Sequence, residues 1–518
     1  MANTRKLGPT LVMACIGVFV AYLPVTTVSV SLPAIQRGLG ASTSDLSWVS
    51  DAFVLPMAAL ILTAGVFGDV HGRKKVFQAG LLLCTIGAAI ALCATSIQVV
   101  WIGQVFAGMG AAALLPATLA LISHAVPDPR ERGRYISYWA TALLLALATG
   151  PLLAGLILDH VGWRWIYLVT IPVALITLAV SVPLVTDSRA PGERHLDWPG
   201  QLTVMVAIVA LVYGVIEGGA DSFTSPEVTV AFVVAAVFLV AFVLVERRSD
   251  APMLSPALFR SRGFTATALV AMITFMGVIG SVFVLSLYFG LAQQLTTMQA
   301  GLRLLTFTVV PIVLGPVFAR LMHRIPVRFL LSGGLLVAGI AAVTLTTVDA
   351  DTSFAGIGWR LALFGLGLGA VLTPMTATAV SSVPYQLAGM AAAGNNAFRQ
   401  FGGALGPAVL GALLTSRAAS TLPQHLTDAG VDAGSRQVAR QAMEGSGFQA
   451  VAGQDYGTQQ GAVLGSLGDS FLDGMHLAMT VSAGLLILAA LVAVTLLRRP
   501  SSPAPAPQIP VPAEPVPA

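Results

Sequence analysis

Charge is what this chain of 518 residues has least of: Asp, Glu, Lys and Arg make up 10% of it. A soluble domain carries roughly 25% because its surface must face water. At this length the chain would form several soluble domains, and it has too little charge to clothe them. Cysteine is scarce too. Cys15, Cys84 and Cys93 all lie inside apolar runs. An odd set without ligand spacing excludes a disulfide framework and a thiolate metal site. His124, His323 and His476 stand alone near the ends of apolar runs. No phosphate-cradling loop, catalytic dyad, nucleic-acid module or His/Asp/Glu metal cluster is evident. No cofactor or metal is expected, and energy must come from a gradient or from the substrate.

What the chain does have is apolar sequence: 56% of residues, with a mean hydropathy of +0.85. Crossing about 30 Å of hydrocarbon takes ~20 such residues as a helix. Runs of that kind fall at 9–32, 47–68, 76–95, 99–123, 135–157, 164–185, 199–217, 228–245, 264–288, 300–320, 327–347, 359–380, 389–415 and 474–497. The expectation is an all-α membrane protein of fourteen spans, since open strands leave their backbone unsatisfied in lipid. Arg5 and Lys6 precede the first run as in a signal peptide, but no small-residue cleavage site follows, so this run is read as a span.

Charge sidedness agrees with an even count. Counting from an inner N-terminus, the inner segments hold Arg5/Lys6, Arg73/Lys74/Lys75, Arg130/Arg132/Arg134, Arg189/Arg194, Arg247/Arg248/Arg260/Arg262, Arg320/Arg324/Arg328 and Arg498/Arg499. The short outer loops offer Arg37, Arg164 and Arg360. Positive charge stays inside, which places both termini in the cytoplasm. Residues 418–473 are too polar to span and read as a long outer loop, with a short amphipathic helix or small cap as the other option. The Pro/Ala-rich tail 500–518 reads as a disordered extension.

The sharpest motif joins the second and third runs: Gly65-Val-Phe-Gly-Asp69-Val-His-Gly72-Arg73-Lys74-Lys75. A glycine permits close helix approach, an acid ends the helix, and a tight turn leads into a basic cluster. Asp69 suits a latch that pairs in one state and releases in another. An ordinary basic loop that only sets topology is the plainer reading of the same residues. The element resembles the G-x-x-x-D-x-x-G-R-[RK] signature of the major facilitator superfamily, at Gly65, Asp69, Gly72, Arg73 and Lys74. Trp48-Val-Ser-Asp51, Leu114-Leu-Pro116, Trp163-Arg-Trp165, Leu196-Asp-Trp198-Pro-Gly200, Glu246-Arg-Arg248 and Arg399-Gln-Phe-Gly-Gly403 are similar to the fourteen-span drug:proton antiporters of that superfamily. The resemblance covers about residues 10–415 and the last span.

It implies a six-helix lobe over 1–190, two additional helices over 191–250 and a second six-helix lobe over 251–499. It also implies export of amphipathic small molecules, drugs or antibiotics, across a bacterial cell membrane by a monomer working by proton antiport. In the fifth run, Ala146-Leu-Ala-Thr-Gly150-Pro151-Leu-Leu-Ala-Gly155 resembles the antiporter motif G-x-x-x-G-P-x-x-G-G, with alanine for two glycines. Read physically, Gly150, Pro151 and Gly155 form a close-packing, kinked helix face.

Two departures stand out. Where the family's first span carries an acid, this chain has Pro24, followed by Thr26 and Thr27. Where the fourth span carries an arginine, it has Gln104. Losing acid and base together costs less than stranding one charge in lipid. The remaining intramembrane ionisable groups are Asp51, Glu217, Arg303 and Arg399. The candidate proton or substrate site is therefore Thr26, Thr27, Asp51, Gln104, Asn396 and Arg399. Asp51 also fits an interfacial cap beside Trp48, and Arg399 a support for gate carbonyls. Besides proton-driven export, an uncoupled facilitator or lipid/natural-product flippase remains open, as does a membrane receptor on the same scaffold.

Overall fold

The computed structural model describes residues 4–126, 129–188, 197–220, 222–249, 252–322, 324–384 and 387–497. The tail 500–518, Arg189, Arg194, His323, Arg498 and Arg499 lie outside the described residues. So do the side chains of Arg5, Lys6, Asp69, Arg130, Arg132 and Arg134.

Every described element is helical. The long helices are α1 (Thr4–Leu39), α2 (Thr43–His71), α3 (Arg73–Leu92), α4 (Ile97–Ala125), α5 (Pro129–His160) and α6 (Thr170–Leu184). They continue with α7 (Trp198–Ala220), α8 (Pro226–Arg248), α9 (Arg262–Leu287), α10 (Thr297–Leu321), α11 (Val327–Leu345), α12 (Phe354–Ser381) and α13 (Ala388–Asp428). The last are α14 (Ala433–Ser446), the short α15 (Phe448–Ala452) and α16 (Gln460–Leu496). Among the described residues, 12 helices are long and apolar enough to cross a membrane. The helices α2 and α13 stand outside that set; α13 dilutes its apolar run with Asn395, Asn396, Arg399 and Gln400.

Capping follows the antiparallel order. Ser42, Ser225, Thr296 and Ser353 each accept a hydrogen bond from the first turn of α2, α8, α10 and α12. All four caps lie at one end of the bundle, the end that also carries α14 and α15; it is called the cap face below. The α2–α3 turn lies at the other end, the turn face.

The helices pack as one pattern used twice. In the first group α1 packs on α4, α5 and α6, α3 on α4 and α6, and α2 on α4. In the second group α9 packs on α12, α13 and α16, α11 on α12 and α16, and α10 on α12. Two seams join the groups, α2 against α13 and α5 against α10. The α7–α8 hairpin lies over the first seam: α7 packs on both α2 and α13, and α8 packs on α7. Only 17% of the most apolar stretch of α8 is buried: Val228, Ala231 and Ala235 line one buried face, and the rest of the helix faces outward, as a lipid-facing helix does. Among the described residues no comparable hairpin covers the α5–α10 seam.

Residues 418–473 form a folded helical cap where an irregular polar loop was the first expectation. Helix α13 runs through it to Asp428, and α14, α15 and the start of α16 follow. The reason is local amphipathicity: Ala439 and Met443, one turn apart, bury together with Val431, Phe448, Val451 and Tyr456. Phe448 stacks edge-on against Phe471. His425 Nε2 lies 2.9 Å from Asp473 Oδ2, and Arg436 donates to Thr427 Oγ1 at 2.8 Å.

Candidate transport site

Helix α1 is built to bend. Pro24 and Pro33 lie inside it, and each lacks the N–H that would bond the carbonyl four residues back. Thr27, Ser29 and Ser31 return side-chain hydroxyls to the carbonyls of Leu23, Val25 and Thr27. The carbonyl of Ser29, left open by Pro33, accepts from Ser286 Oγ of α9 at 2.5 Å. Pro33 itself seats on Gly290, where a Cβ would collide with its ring. A helix defect in one group thereby becomes a contact with the other.

The residues of the fifth-run motif meet the two helices that flank α5. A Cβ at Gly150 would overlap Thr26 Oγ1 of α1, and one at Gly155 would overlap the backbone of Met298 on α10. The Pro151 carbonyl lies against Gly301. Thr26 Oγ1 is buried with no hydrogen-bond partner, whereas Thr27 is satisfied within its own helix.

The two positions at which charge is missing come together. Pro24 and Gln104 line one cavity of ≈ 20 Å³ with Val28, Ser50, Phe53 and Phe283. That is room for about one water molecule. Gln104 is 3% exposed and donates its amide to the Val49 carbonyl at 3.2 Å. A neutral amide thus fills a position that faces proline.

Asp51 does not line this cavity. It is 0% exposed, and neither carboxylate oxygen has a hydrogen-bond partner. Helix α2 turns one face to α13, with Ser47 near Gly411, Val54 near Gly403 and Met57 against Gln400. Its next face meets α7: Trp48 Nε1 donates to Glu217 Oε1 at 3.4 Å, and the Trp48 ring lies 6.2 Å from Tyr213 and 6.3 Å from Trp101. Helical periodicity sets Asp51 between these faces, at the junction of α2, α7 and α13. It sits under the hairpin, not capping α2; the cap is Ser42, in a capping box with Asp45.

Arg399 lies on α13, its guanidinium 4.4 Å above the Phe275 ring of α9. Its Nε is buried without a partner. Among the described residues the guanidinium makes no hydrogen bond or ion pair. Beside it, Tyr22 of α1 lies near Gln400 and within electrostatic range of Arg399. Asn396 is half-buried, and its neighbour Asn395 bonds across to the Thr267 carbonyl of α9 at 3.1 Å. Sequence reasoning missed Tyr22 and Gln400, because only packing across α1 and α13 makes them neighbours of the arginine.

At the turn face, Gly72 has φ +115°, and a Cβ there would strike the carboxylate of Asp187. Asp187, just beyond α6, accepts from Lys74 N at 3.3 Å at the N-terminus of α3, where the helix dipole favours an anion. Arg73 N donates to the Ser188 carbonyl at 3.0 Å, and Lys74 Nζ to the Val182 carbonyl at 2.7 Å. Gly65 faces Pro116 of α4. The turn is thus docked on α6 of its own group. Asp69 lies on the last turn of α2, its side chain outside the described residues.

The comparisons with known proteins agree with this geometry. Residues 14–407 match the family model described as Major Facilitator Superfamily. The chain is 34% identical over 438 residues to the multidrug resistance protein Stp of Mycobacterium tuberculosis, covering 85% of this chain and 81% of that protein. It is 31% identical over 492 residues to the tetracenomycin C resistance and export protein of Streptomyces glaucescens, covering 94% and 91%. Its fold is similar to a bacterial homolog of the human lysosomal transporter Spinster, solved inward-facing and unoccupied, with a TM-score of 0.65, 13% identity and 96% and 100% coverage. With a family model over most of the chain and relatives matched over 81% and 91% of their length, the chain belongs to the Major Facilitator Superfamily, a family of membrane transporters and not of enzymes.

Proposed function

We propose that the protein exports amphipathic small molecules, antibiotics among them, by proton-coupled alternating access across fourteen spans. The observation that carries this is Asp51, a partnerless carboxylate sealed in the seam between the two groups. An unpaired ion there costs several kcal/mol, so its ionisation has to coincide with water entry as the seam opens. That links proton release to the rocking of one group against the other. The export named for the tetracenomycin C relative, and the multidrug resistance named for the other, support the direction of transport.

Three further assignments complete the reading. Helices α2 and α13 cross the membrane with the twelve apolar helices. The cap face is outside and both termini are cytoplasmic, as the sidedness of positive charge requires. The contacts between groups support a state closed outside, since Pro33–Gly290, Ser29–Ser286 and Gly155–Met298 all lie toward the cap face. Gly65, Gly72, Arg73 and Lys74, with Asp69, act as the hinge at the inner end of the first group. Pro151 and Gly155 serve as the sliding face of the α5–α10 seam, and Gly150 seats α5 on α1.

The test is transport in proteoliposomes under an imposed pH gradient. Asp51→Asn is expected to reduce gradient-driven efflux to the no-gradient background while leaving substrate binding intact. An unaltered pH profile removes Asp51 from the mechanism. A second reading, an uncoupled facilitator or flippase, draws on the charge-free pairing of Pro24 with Gln104 at one cavity. Efflux that survives an uncoupler selects it.

A further inference from the structure

The export reading leaves the chemistry of the cargo open, and the charges facing the path between the groups bear on it. The acid expected on α1 is Pro24, the base expected on α4 is Gln104, and Asp51 lies under the α7–α8 hairpin. Arg399 is the cation left at the contact of α1, α9 and α13, without a protein counterion among the described residues. A guanidinium offers five N–H donors in a planar fork. Here its plane is supported by the Phe275 ring, and none of its donors is used by a described residue. An intramembrane charge kept without a partner is expensive and points to function.

The neighbouring Gln400 is also a donor short of a good acceptor. Gln400 is 5% exposed, and its amide nitrogen donates to Met57 Sδ at 3.1 Å, a thioether and a weak acceptor. Tyr22, 6% exposed, lies beside the same amide. Guanidinium, phenol and amide come from α1 and α13, one helix of each group, with an aromatic wall from α9. That donor set fits a planar oxyanion attached to an apolar body, because Arg meets a carboxylate through two parallel N–H···O bonds.

We infer that Arg399, Tyr22 and Gln400 form an anion subsite for a carboxylate-bearing amphipathic substrate. The inference rests on the export reading for its physiological meaning, and its test separates the two. The probes are a fluorescent aryl-alkyl carboxylic acid and its methyl ester, identical in apolar body and differing in charge. Binding is measured on the full chain in vesicles of neutral phosphatidylcholine. The wild type is expected to hold the acid about tenfold more tightly than the ester, a difference of about 1.4 kcal/mol.

Arg399→Gln is expected to erase that preference with ester affinity unchanged. Arg399→Lys should keep part of it, because charge survives while the planar fork is lost. Tyr22→Phe, which removes a single donor, should weaken the acid alone and by less. Equal affinity of the wild type for both probes overturns the proposal, as does an Arg399→Gln variant that loses both alike. Repeating the measurement with anionic lipid separates sources: displacement of the acid by that lipid assigns the subsite to a lipid headgroup and overturns the substrate assignment. Vectorial uptake in the same vesicles is read separately. Acid preference without uptake sinks export and spares the subsite, and uptake without preference does the reverse.

Discussion

The two seams that join the helix groups are related by the repeat and yet are finished differently. Along the α5–α10 seam the groups touch backbone to backbone, Gly155 meeting Met298 and Gly301 meeting Pro151. Along the α2–α13 seam side chains of α2, Ser47, Val54 and Met57, meet Gly411, Gly403 and Gln400 of α13, enclose Asp51, and are roofed by α7 and α8. A seam of small residues slides at little cost and needs no roof. A seam that holds a carboxylate does need one, since lipid supplies neither hydrogen bonds nor counterions. The difference gives the inserted hairpin a physical task, which is to keep the acid-bearing seam out of lipid.

The comparison can be broken in graded ways. Gly155→Val should do the most damage beyond Asp51 itself: a branched side chain meeting the Met298 backbone costs roughly 1–3 kcal/mol. Thermal melting of the purified protein should fall, and transport should fail even under a full gradient. A variant that transports normally would show that the bare seam is not closely packed when the protein works. At the roofed seam, Glu217→Gln keeps the shape and removes the charge that Trp48 faces. The loss there should be about 0.5–1.5 kcal/mol, with a proton leak detectable by a pH dye in vesicles without substrate. A tight variant would deny the hairpin its sealing task.

Ser286→Ala tests the α1–α9 contact, which joins the groups outside both seams. It orphans the Ser29 carbonyl, a cost of about 1 kcal/mol, and should weaken closure at the cap face. Increased labelling of a cysteine introduced at the cap-face end of α1 would report it. The smallest effect is expected at Asp432, which lies away from both seams. Hydrogen bonds from Ser435 hold its carboxyl below the usual carboxylate range. A lowered native pKa gives stability that is present above the unfolded value and lost as pH falls through the folded one. Protection of α14 from hydrogen exchange should decline only in that acidic window, with transport unchanged above it.

Much of this arrangement was legible in the residues. Apolar run length marked the long helices, and the proline and glycine motifs marked where helices bend or approach. The joint absence of charge at Pro24 and Gln104 pointed to two positions that prove to share one cavity. What stayed hidden depends on which faces meet. Asn395 and Asn396 differ by one step of about 100° around the helix, and only packing decides which reaches α9. Asp187 was passed over because its partner is a backbone amide more than a hundred residues away. The cap was read as loop because its polar composition masked a narrow apolar stripe at helical spacing.

The 41 residues of α13 have a consequence for how the molecule can be watched at work. At 1.5 Å per residue the helix is about 60 Å long, roughly twice the hydrocarbon thickness. It belongs to the second group, touches the first group at mid-length, and carries the cap at its far end. Under the proposed rocking it is a lever with its fulcrum at that contact: a tilt of about 10° swings the tip by about 5 Å. A probe pair with one member near Asp428 and the other on the cap-face end of α4 would turn the rocking of the core into a distance signal read entirely in water.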